Sequence, residues 1–278
     1  MQKILAISGG IDSVSMLHML RHDPAVVVAH FNHGIRENSD ADEAFVRNLA
    51  ASYQLPFISK TEKLGPHCSE AHARERRYKF LNALRVKHRG KIYTAHHQDD
   101  LVETIAINLL RGTRWRGLVP LDDPRIHRPL LGMTKNDIYQ YATKHGLIFR
   151  HDSTNTEDHF LRNRVRNALI NLDPKIKHQL LALYNQQKTL KPAIERTLQR
   201  ILPDDDIYER NWFSNLDEAI AIEILRAGLL KSNHTVTYPQ LLDLLAAVRT
   251  YATNKKFNLP GDNFITIRKT AFSLKPHR

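Results

Sequence analysis

Cysteine is all but missing: among 278 residues only Cys68 carries a thiol. No internal disulfide can form, and no multi-cysteine zinc or iron–sulfur site can be built within one chain. Long apolar runs are missing as well. Stretches such as Ala25 to Ala29 fall far short of the roughly 20 residues that span a bilayer, and the chain opens directly into a strand-like run instead of a leader peptide. These absences predict a cytoplasmic protein with no membrane partner. Internal repeats and low-complexity tracts are also absent, which argues against a repeat array. Acidic charge is scarce, with 29 Asp and Glu against 41 Lys and Arg and a formal net charge of +12. Such an excess points to a polyanionic partner, nucleic acid first. The basic residues are also clustered: Arg74, Arg76, Arg77, Lys79, Arg85, Lys87, Arg89 and Lys91 in one segment, Arg111, Arg114 and Arg116 in another, Arg162, Arg164 and Arg166 in a third.

What is present has a clear rhythm. Lys3 to Ile7 reads as a short buried strand, Ser8-Gly9-Gly10 breaks it, and Val14, Met16, Leu17 and Leu20 follow at helical spacing. Ala25 to Phe31 and Pro56 to Ser59 read as further strands, with a helix carrying Ala44, Phe45, Leu49 and Tyr53 between them. A helix is expected over Ser69 to Val86, a strand over Lys91 to Ala95, and then a helix that Gly112 ends. Thr134 with Asp137 marks another helix start, Gly146 its end, and Leu147 to Arg150 an extended piece. Strands alternating with helices predict an α/β fold, a parallel sheet with helices on both faces whose ligands lie beyond the carboxyl ends of the strands. From about Phe160 the pattern turns helical, Pro203 and the acidic run Asp204 to Asp206 resemble a linker, and strand-like residues return at Asn263 to Leu274. The expected division is a catalytic domain over 1–185, a helical linker over 186–206 and a small, mainly helical C-terminal domain over 207–278.

The first turn of this pattern is chemically loaded. In Ser8-Gly9-Gly10-Ile11-Asp12-Ser13, backbone N–H groups and a helix N-terminus favour an anion, and the glycines let phosphate oxygens approach closely. Ser13 can donate its hydroxyl and cap the helix. Asp12 would repel a phosphate unless a cation bridges the two, so its presence predicts bound magnesium. The Gly-Lys-Ser/Thr ending of a Walker loop is missing, which disfavours hydrolysis of a terminal phosphate. A plain strand-to-helix turn rich in small residues is the simpler account of a bare Gly-Gly, but the match here is longer. The loop resembles the signature of the PP-loop ATP pyrophosphatases, which cleave ATP to AMP and pyrophosphate while adenylating a substrate oxygen.

Further segments narrow the resemblance. His30-Phe31-Asn32-His33-Gly34-Ile35-Arg36 ends the second strand, where the histidines serve either as metal ligands or as hydrogen-bonded caps. In Ala95-His96-His97-Gln98-Asp99-Asp100-Leu101-Val102-Glu103-Thr104, Asp100 and Glu103 share a helix face and could clasp one ammonium group or one metal, or simply complement the helix dipole. Glu70 to Leu81 sets Arg74 and Arg77 on one helix face, with Tyr78 and Leu81 turned inward. Together with Leu110-Arg111-Gly112-Thr113, Arg128-Pro129-Leu130-Leu131, Asp152-x-x-Asn155 and Leu161 to Arg166, these segments are similar to the motifs of the lysidine synthetases within that superfamily. This chain has Asn32 where those enzymes commonly carry aspartate.

The resemblance covers about Lys3 to Ala168 and implies a PP-loop, adenine nucleotide α-hydrolase-like domain. It implies ATP and Mg2+ as cofactors, with Ser8, Gly9, Gly10, Ile11, Asp12 and Ser13 binding the nucleotide and Asp12 the metal. It also implies that Asp100 and Glu103 hold the amino group of L-lysine, that Arg166 is an active-site residue, and that Arg74 is aimed at the adenylate or the RNA. The partner implied is tRNA(Ile) with a CAU anticodon, contacted also by the C-terminal domain; a homodimer is admitted. Three rival readings stand beside it. A tRNA thiolase shares the loop, yet such enzymes commonly need paired cysteines or a cluster, and only Cys68 is present. A metal phosphohydrolase could use His30, His33, His96, His97, Asp99 and Asp100, but leaves the loop unexplained. A non-catalytic RNA-binding protein would need only the basic surface.

Overall fold

The computed structural model describes residues 1–34, 39–65, 68–150, 161–170, 172–261 and 263–275. Ile35 and Arg36, and the Asp152 to Asn155 segment, lie outside the described residues, as does the side chain of Arg162. The chain divides into two compact units, Met1–Gln187 and Lys188–Arg278.

The first unit is built on a sheet of β1 (Lys3–Ala6), β2 (Val26–Asn32), β3 (Phe57–Thr61), β4 (Lys91–Tyr93) and β5 (Ile126–His127). The strands are all parallel in the order β3-β2-β1-β4-β5. Its helices are α1 (Ile11–Leu20), α2 (Ser39–Ser52), α3 (Glu70–Lys87), α4 (Gln98–Leu110), α5 (Lys135–Lys144), α6 (Leu161–Ile170) and the start of α7 (Pro174–Ile201), with a 3-10 turn at Trp115–Leu118. Alternation along the strands sends side chains to two cores. Leu5, Ile7, Val26 and Val28 pack with Met16, Leu17, Val46, Ala50 and Ile138 on one face. Ile4, Val27, Ala29, Phe31 and Ile92 pack with Phe80, Leu81 and Leu84 on the other. Covering both faces is why β2 is buried along its whole length and opens with the apolar run Val26 to Ala29. A third cluster joins Leu101, Ile105, Val119 and Tyr184. Each fully buried aliphatic side chain contributes about 1.5–3 kcal/mol.

Helix starts follow local chemistry. Thr134 and Asp137 form the predicted reciprocal box, Thr134 Oγ1 accepting from Asp137 N–H at 3.1 Å and Asp137 accepting from Thr134 N–H at 2.8 Å. Ser69 caps α3 by accepting from His72 N–H. Gly112 follows α4 with φ +69°, in the left-handed region that glycine enters without strain. Leu147 to Arg150, expected to be extended, forms no strand. Instead Arg150 N–H donates to the Gly9 carbonyl at 2.9 Å and its guanidinium to Asp42, so the segment braces the loop after β1 without joining the sheet.

The second unit holds the end of α7, then β6 (Ile207–Glu209), α8 (Arg210–Ser214), α9 (Glu218–Lys231), α10 (Tyr238–Thr250), β7 (Lys255–Leu259), β8 (Asn263–Ile267) and β9 (Ala271–Ser273). Its four strands form an antiparallel sheet in the order β6-β9-β8-β7. The sequence showed one extended piece where the structure has four strands. β6 has three residues, and β7 is a sheet-edge strand beginning with exposed Lys255 and Lys256, so neither carries an apolar run. Tyr208, Phe213 and Phe272 meet at its centre, Tyr208 stacked on Phe272 with ring centroids 5.3 Å apart. Among the described residues no helix is long and apolar enough to cross a membrane.

Candidate active site

The strand order places β1 between β2, to which the chain turns first, and β4, to which it returns. The crevice beyond the carboxyl ends of β1 and β4 is therefore the switch point at which ligands of such sheets bind. The loop after β1 lines one side of it. Gly9 has φ +97°, a conformation that strains residues with a Cβ. The buried Ser13 hydroxyl accepts from the N–H groups of Ser8 and Gly9, both at 3.2 Å, and donates to the Gly10 carbonyl at 2.9 Å. Gly10 is the N-cap of α1, with no side-chain cap. Ser13 thus corrects its expected capping role: it lies inside the helix and knits the turn together from beneath. Ile11 opens the helix and Asp12 lies in its first turn, where the Asp12 carboxylate takes both hydrogen bonds of the Lys135 ammonium group, at 2.6 and 2.8 Å.

The loop after β4 lines the other side. Thr94 Oγ1 and His96 Nδ1 are 2.8 Å apart. Burial pushes the His96 imidazole down to about 3; Asp100 opposes this, and Arg128, Arg74 and Arg77 add to it. His96 is neutral at physiological pH. His97 is the N-cap of α4, and its N–H donates to Asp100 at 3.0 Å. Asp100 therefore closes the helix start as well as facing His96. Asp99 accepts the backbone N–H of Lys135 at 2.7 Å and the ammonium of Lys177 at 2.6 Å. Burial would raise the Asp99 carboxyl, and the bonds from Lys177 and Lys135 outweigh it, so the group ends below the usual carboxylate range. One turn further, Glu103 is 3% exposed and faces the Arg166 guanidinium at 3.3 and 3.5 Å.

The other sequence motifs fall around this crevice in different ways. His30 is buried, its Nδ1 2.8 Å from the Ile7 carbonyl, and burial keeps its pKa low despite that bond. Asn32 donates to Asp40 at 3.0 Å and to Glu43 at 3.3 Å, and accepts from Gly34 N–H at 2.9 Å. An amide fits here because a third carboxylate would face two others. Glu43 is held below the usual carboxylate range chiefly by Ser59, against burial, with further bonds from Asn32, Thr61 and Arg47. Arg74 and Arg77 lie over the Tyr78 ring, at 4.9 and 5.5 Å from its centroid. Arg128, which burial shifts downward, donates to the carbonyls of Leu121 and Ile126. The histidines and aspartates of the phosphohydrolase reading do not converge: among the described residues no three His, Cys, Asp or Glu side chains form a metal-holding group. Lys135 and Lys177 were not singled out from the sequence. Their partners lie 123 and 78 positions away along the chain, and local spacing carries no trace of such pairs.

The arrangement therefore sets together a glycine-bearing turn at a helix start, one carboxylate in that helix that holds the Lys135 ammonium, and the carboxylates Asp99, Asp100 and Glu103 on α4. The PP-loop domain model matches residues 1–173. The tRNA(Ile)-lysidine synthase of Thermotoga maritima is 32% identical, the match covering 98% of this chain and 71% of that protein. That of Streptococcus pyogenes serotype M3 is 30% identical over 98% of this chain and 64% of its own length. Coverage of other relatives is smaller: the chain spans 36% of the bifunctional protein TilS/HprT of Listeria monocytogenes and 56% of the lysidine synthase of Thermotoga sp.. Among solved structures, the U34-tRNA thiolase NcsA of Methanococcus maripaludis with its 4Fe-4S cluster gives a TM-score of 0.56 at 16% identity, over 68% of this chain and 72% of that one, a likeness of fold. By the motif-bearing loops at the ends of β1 and β4, and by these relatives, the chain belongs to the PP-loop family and within it to the tRNA(Ile)-lysidine synthases.

Proposed function

We propose that the protein ligates L-lysine to carbon 2 of the wobble cytidine of tRNA(Ile) with a CAU anticodon, in the cytoplasm, at the cost of one ATP. The observation that supports the reading is the link that Lys135 makes between the two loops: its ammonium pairs with Asp12 of the phosphate turn and its backbone N–H donates to Asp99 at the start of α4. Ser8, Gly9, Gly10 and Ile11 form the turn that receives the triphosphate; the Ser8 and Gly9 N–H groups are tied to Ser13, which keeps the turn rigid, so the phosphate contacts fall to the N–H groups at the start of α1. Asp12 fits magnesium because its carboxylate already holds an ammonium cation at the edge of this turn. One protein carboxylate with phosphate oxygens and water is a usual magnesium environment. When bound, the ion supplies charge neutralisation on the polyphosphate.

The cytidine O2 attacks the α-phosphorus, the bond to the bridging oxygen breaks, and pyrophosphate leaves with its electron pair. The side-chain amine of lysine then attacks carbon 2, loses a proton, and AMP departs. Asp100 and Glu103 receive the amino acid's ammonium group. Glu103 and Arg166 set an acid and a guanidinium side by side, which suits a zwitterion carrying both charges. Arg74, exposed on α3, is assigned to the adenylate or the RNA. Catalysis rests on positioning and on neutralising phosphate charge, since the scheme uses no protein nucleophile. The C-terminal unit is assigned to RNA contact.

The test is AMP and pyrophosphate release by the full chain. Release should require both lysine and tRNA(Ile) bearing CAU. ATP cleavage to ADP, or AMP release indifferent to lysine, would overturn the reading. The thiolase alternative gains nothing from the fold likeness, because that likeness extends to the superfamily and this chain offers only Cys68.

A further inference from the structure

Outside the β1–β4 crevice, a cavity of about 400 Å³ opens between α1, α2 and the chain that leaves α5. Small-molecule sites run from roughly 300 to 1,000 Å³. The cavity follows from how the helices end. α1, α2 and α5 all pack on the sheet face that carries Leu5 and Val28. Gly146, at φ +59°, stops α5, Leu147 N–H returns to the Ala142 carbonyl at 2.9 Å, and Leu147 and Ile148 form one rim. Rings from His18, Phe45, Tyr53 and His145 contribute to the lining. His18 is the fixed member: it is buried, its Nδ1 lies 2.8 Å from the Tyr141 hydroxyl, and its centroid is 4.9 Å from that of His145 and 6.1 Å from that of Tyr53. Burial, then Arg21, His145 and His22, hold the His18 pKa below its usual value, so this ring is neutral at physiological pH.

No Asp, Glu, Lys or Arg is among the lining residues, so a ligand that buried a formal charge here would find no counter-charge. Polar capacity is present all the same. Among the described residues, the Asn48 amide, the Tyr53 hydroxyl and the His145 ring nitrogens make no hydrogen bond within the protein. An amide offers a donor and an acceptor side by side, the pattern that matches the edge of a base, and aromatic side chains supply faces on which any base stacks. Arg21, its guanidinium 5.9 Å from the Tyr53 centroid, adds a positive charge beside the cavity, where a phosphate attached to such a ring would be welcome. We propose that this cavity is a second ligand site, separate from the crevice, which takes a nucleobase, stacked among these rings and read at its edge by Asn48. A free nucleoside and an unpaired base of an RNA present the same ring, and the two sources are told apart by experiment.

The test follows the ring Cε1–H signals of His18 and His145 in the full chain by NMR, with the crevice kept occupied by an excess of α,β-methylene-ATP. Uridine, adenosine, a single-stranded uridine hexanucleotide and ribose 5-phosphate are titrated in turn. A base in the cavity should shift both signals saturably and leave those of His30 and His96 in place. N48A should weaken that binding by about 2- to 10-fold, the range for one neutral hydrogen bond. S52W, which sets an indole at the mouth from an exposed position on α2, should abolish it, with affinity for the ATP analogue unchanged in both variants. Saturation by nucleosides as readily as by the hexanucleotide assigns the site to a free ligand; saturation by the hexanucleotide alone assigns it to an RNA base. The inference is overturned if no base-bearing probe moves the two signals, if ribose 5-phosphate moves them equally, or if N48A and S52W both bind like the wild type. Failure of the ATP analogue to bind would count against the ATP reading instead, and the His18 and His145 signals would still report on the cavity.

Discussion

Met1–Gln187 buries Ser13, Ser15, His18, His30, Asn32, Thr94, His97 and Glu103, whereas every buried residue of Lys188–Arg278 among those described is apolar or a tyrosine. The first unit divides its hydrophobic side chains among three modest clusters, and the second gathers its own into one. A buried polar group left without a partner costs about 1–3 kcal/mol, and Ser13, His30, Asn32 and Thr94 each have one. Most of these groups lie at the carboxyl ends of β1, β2 and β4, around the candidate site. Polar burial here coincides with the candidate site. The uniform core of the second unit marks a part whose sequence answers mainly to packing.

Substitutions can break or sharpen this contrast. The largest effect is expected from Phe213→Ala, which empties the centre of the second unit and should cost about 3–5 kcal/mol in chemical denaturation. ATP affinity of the folded fraction should not change; a parallel loss would show that the two units are not separable. Asp12→Ala should do the reverse. It should cut AMP release by about 10²- to 10³-fold, while the unfolding midpoint moves little, since the Lys135 pair it removes is half exposed. Activity unchanged by Asp12→Ala would contradict the scheme.

Gly228→Ala comes next. A Cβ there would sit 2.4 Å from Leu274 Cδ1 and 2.9 Å from the Tyr208 hydroxyl. Overpacking costs about 1–3 kcal/mol, more than the roughly 1 kcal/mol of helix propensity that alanine returns, so Tm should fall. A rise would mean that the second core is looser than described. The smallest effect concerns Glu62 on the first unit, whose carboxyl is drawn down to about 2 by Arg76 and then Lys60. Because the folded value lies below the ordinary one, Glu62 stabilises the fold above about pH 4.5, and that contribution is lost as pH falls toward 2. The Tm deficit of Glu62→Gln should thus be full at pH 6 and close as the solution is acidified; a deficit independent of pH would assign it to packing.

The same contrast explains what the sequence disclosed. β1 and β2 were the most legible, because burial on both faces leaves apolar runs such as Val26 to Ala29, whereas the edge strand β3 ends in exposed Lys60 and Thr61 and β4 has three residues, so both were read from their place between helix patterns. β5, two residues long, and β7, an edge strand opening with two lysines, gave no such signal. Asp12, Asp99, Asp100, Glu103 and Arg166 could be picked out because each lies in a local motif. The pairings of such residues across the chain could not. Lys135 on Asp12, Lys177 on Asp99 and Arg166 on Glu103 are joined by folding alone, across 123, 78 and 63 positions. Asn32, which stands where those enzymes commonly carry aspartate, proves to be a donor between two carboxylates.

The central claim is that the turn at Ser8 to Ser13 and the carboxylates of α4 serve one reaction, joining lysine to an RNA base. It is tested most directly by incubating the full chain with ATP, isotopically labelled lysine and tRNA(Ile) bearing CAU, and then analysing the nucleosides by mass spectrometry. The account predicts one cytidine per tRNA replaced by a nucleoside that carries the label, formed only when ATP is present. Unmodified cytidine, or a sulfur-containing nucleoside with no label, would contradict it.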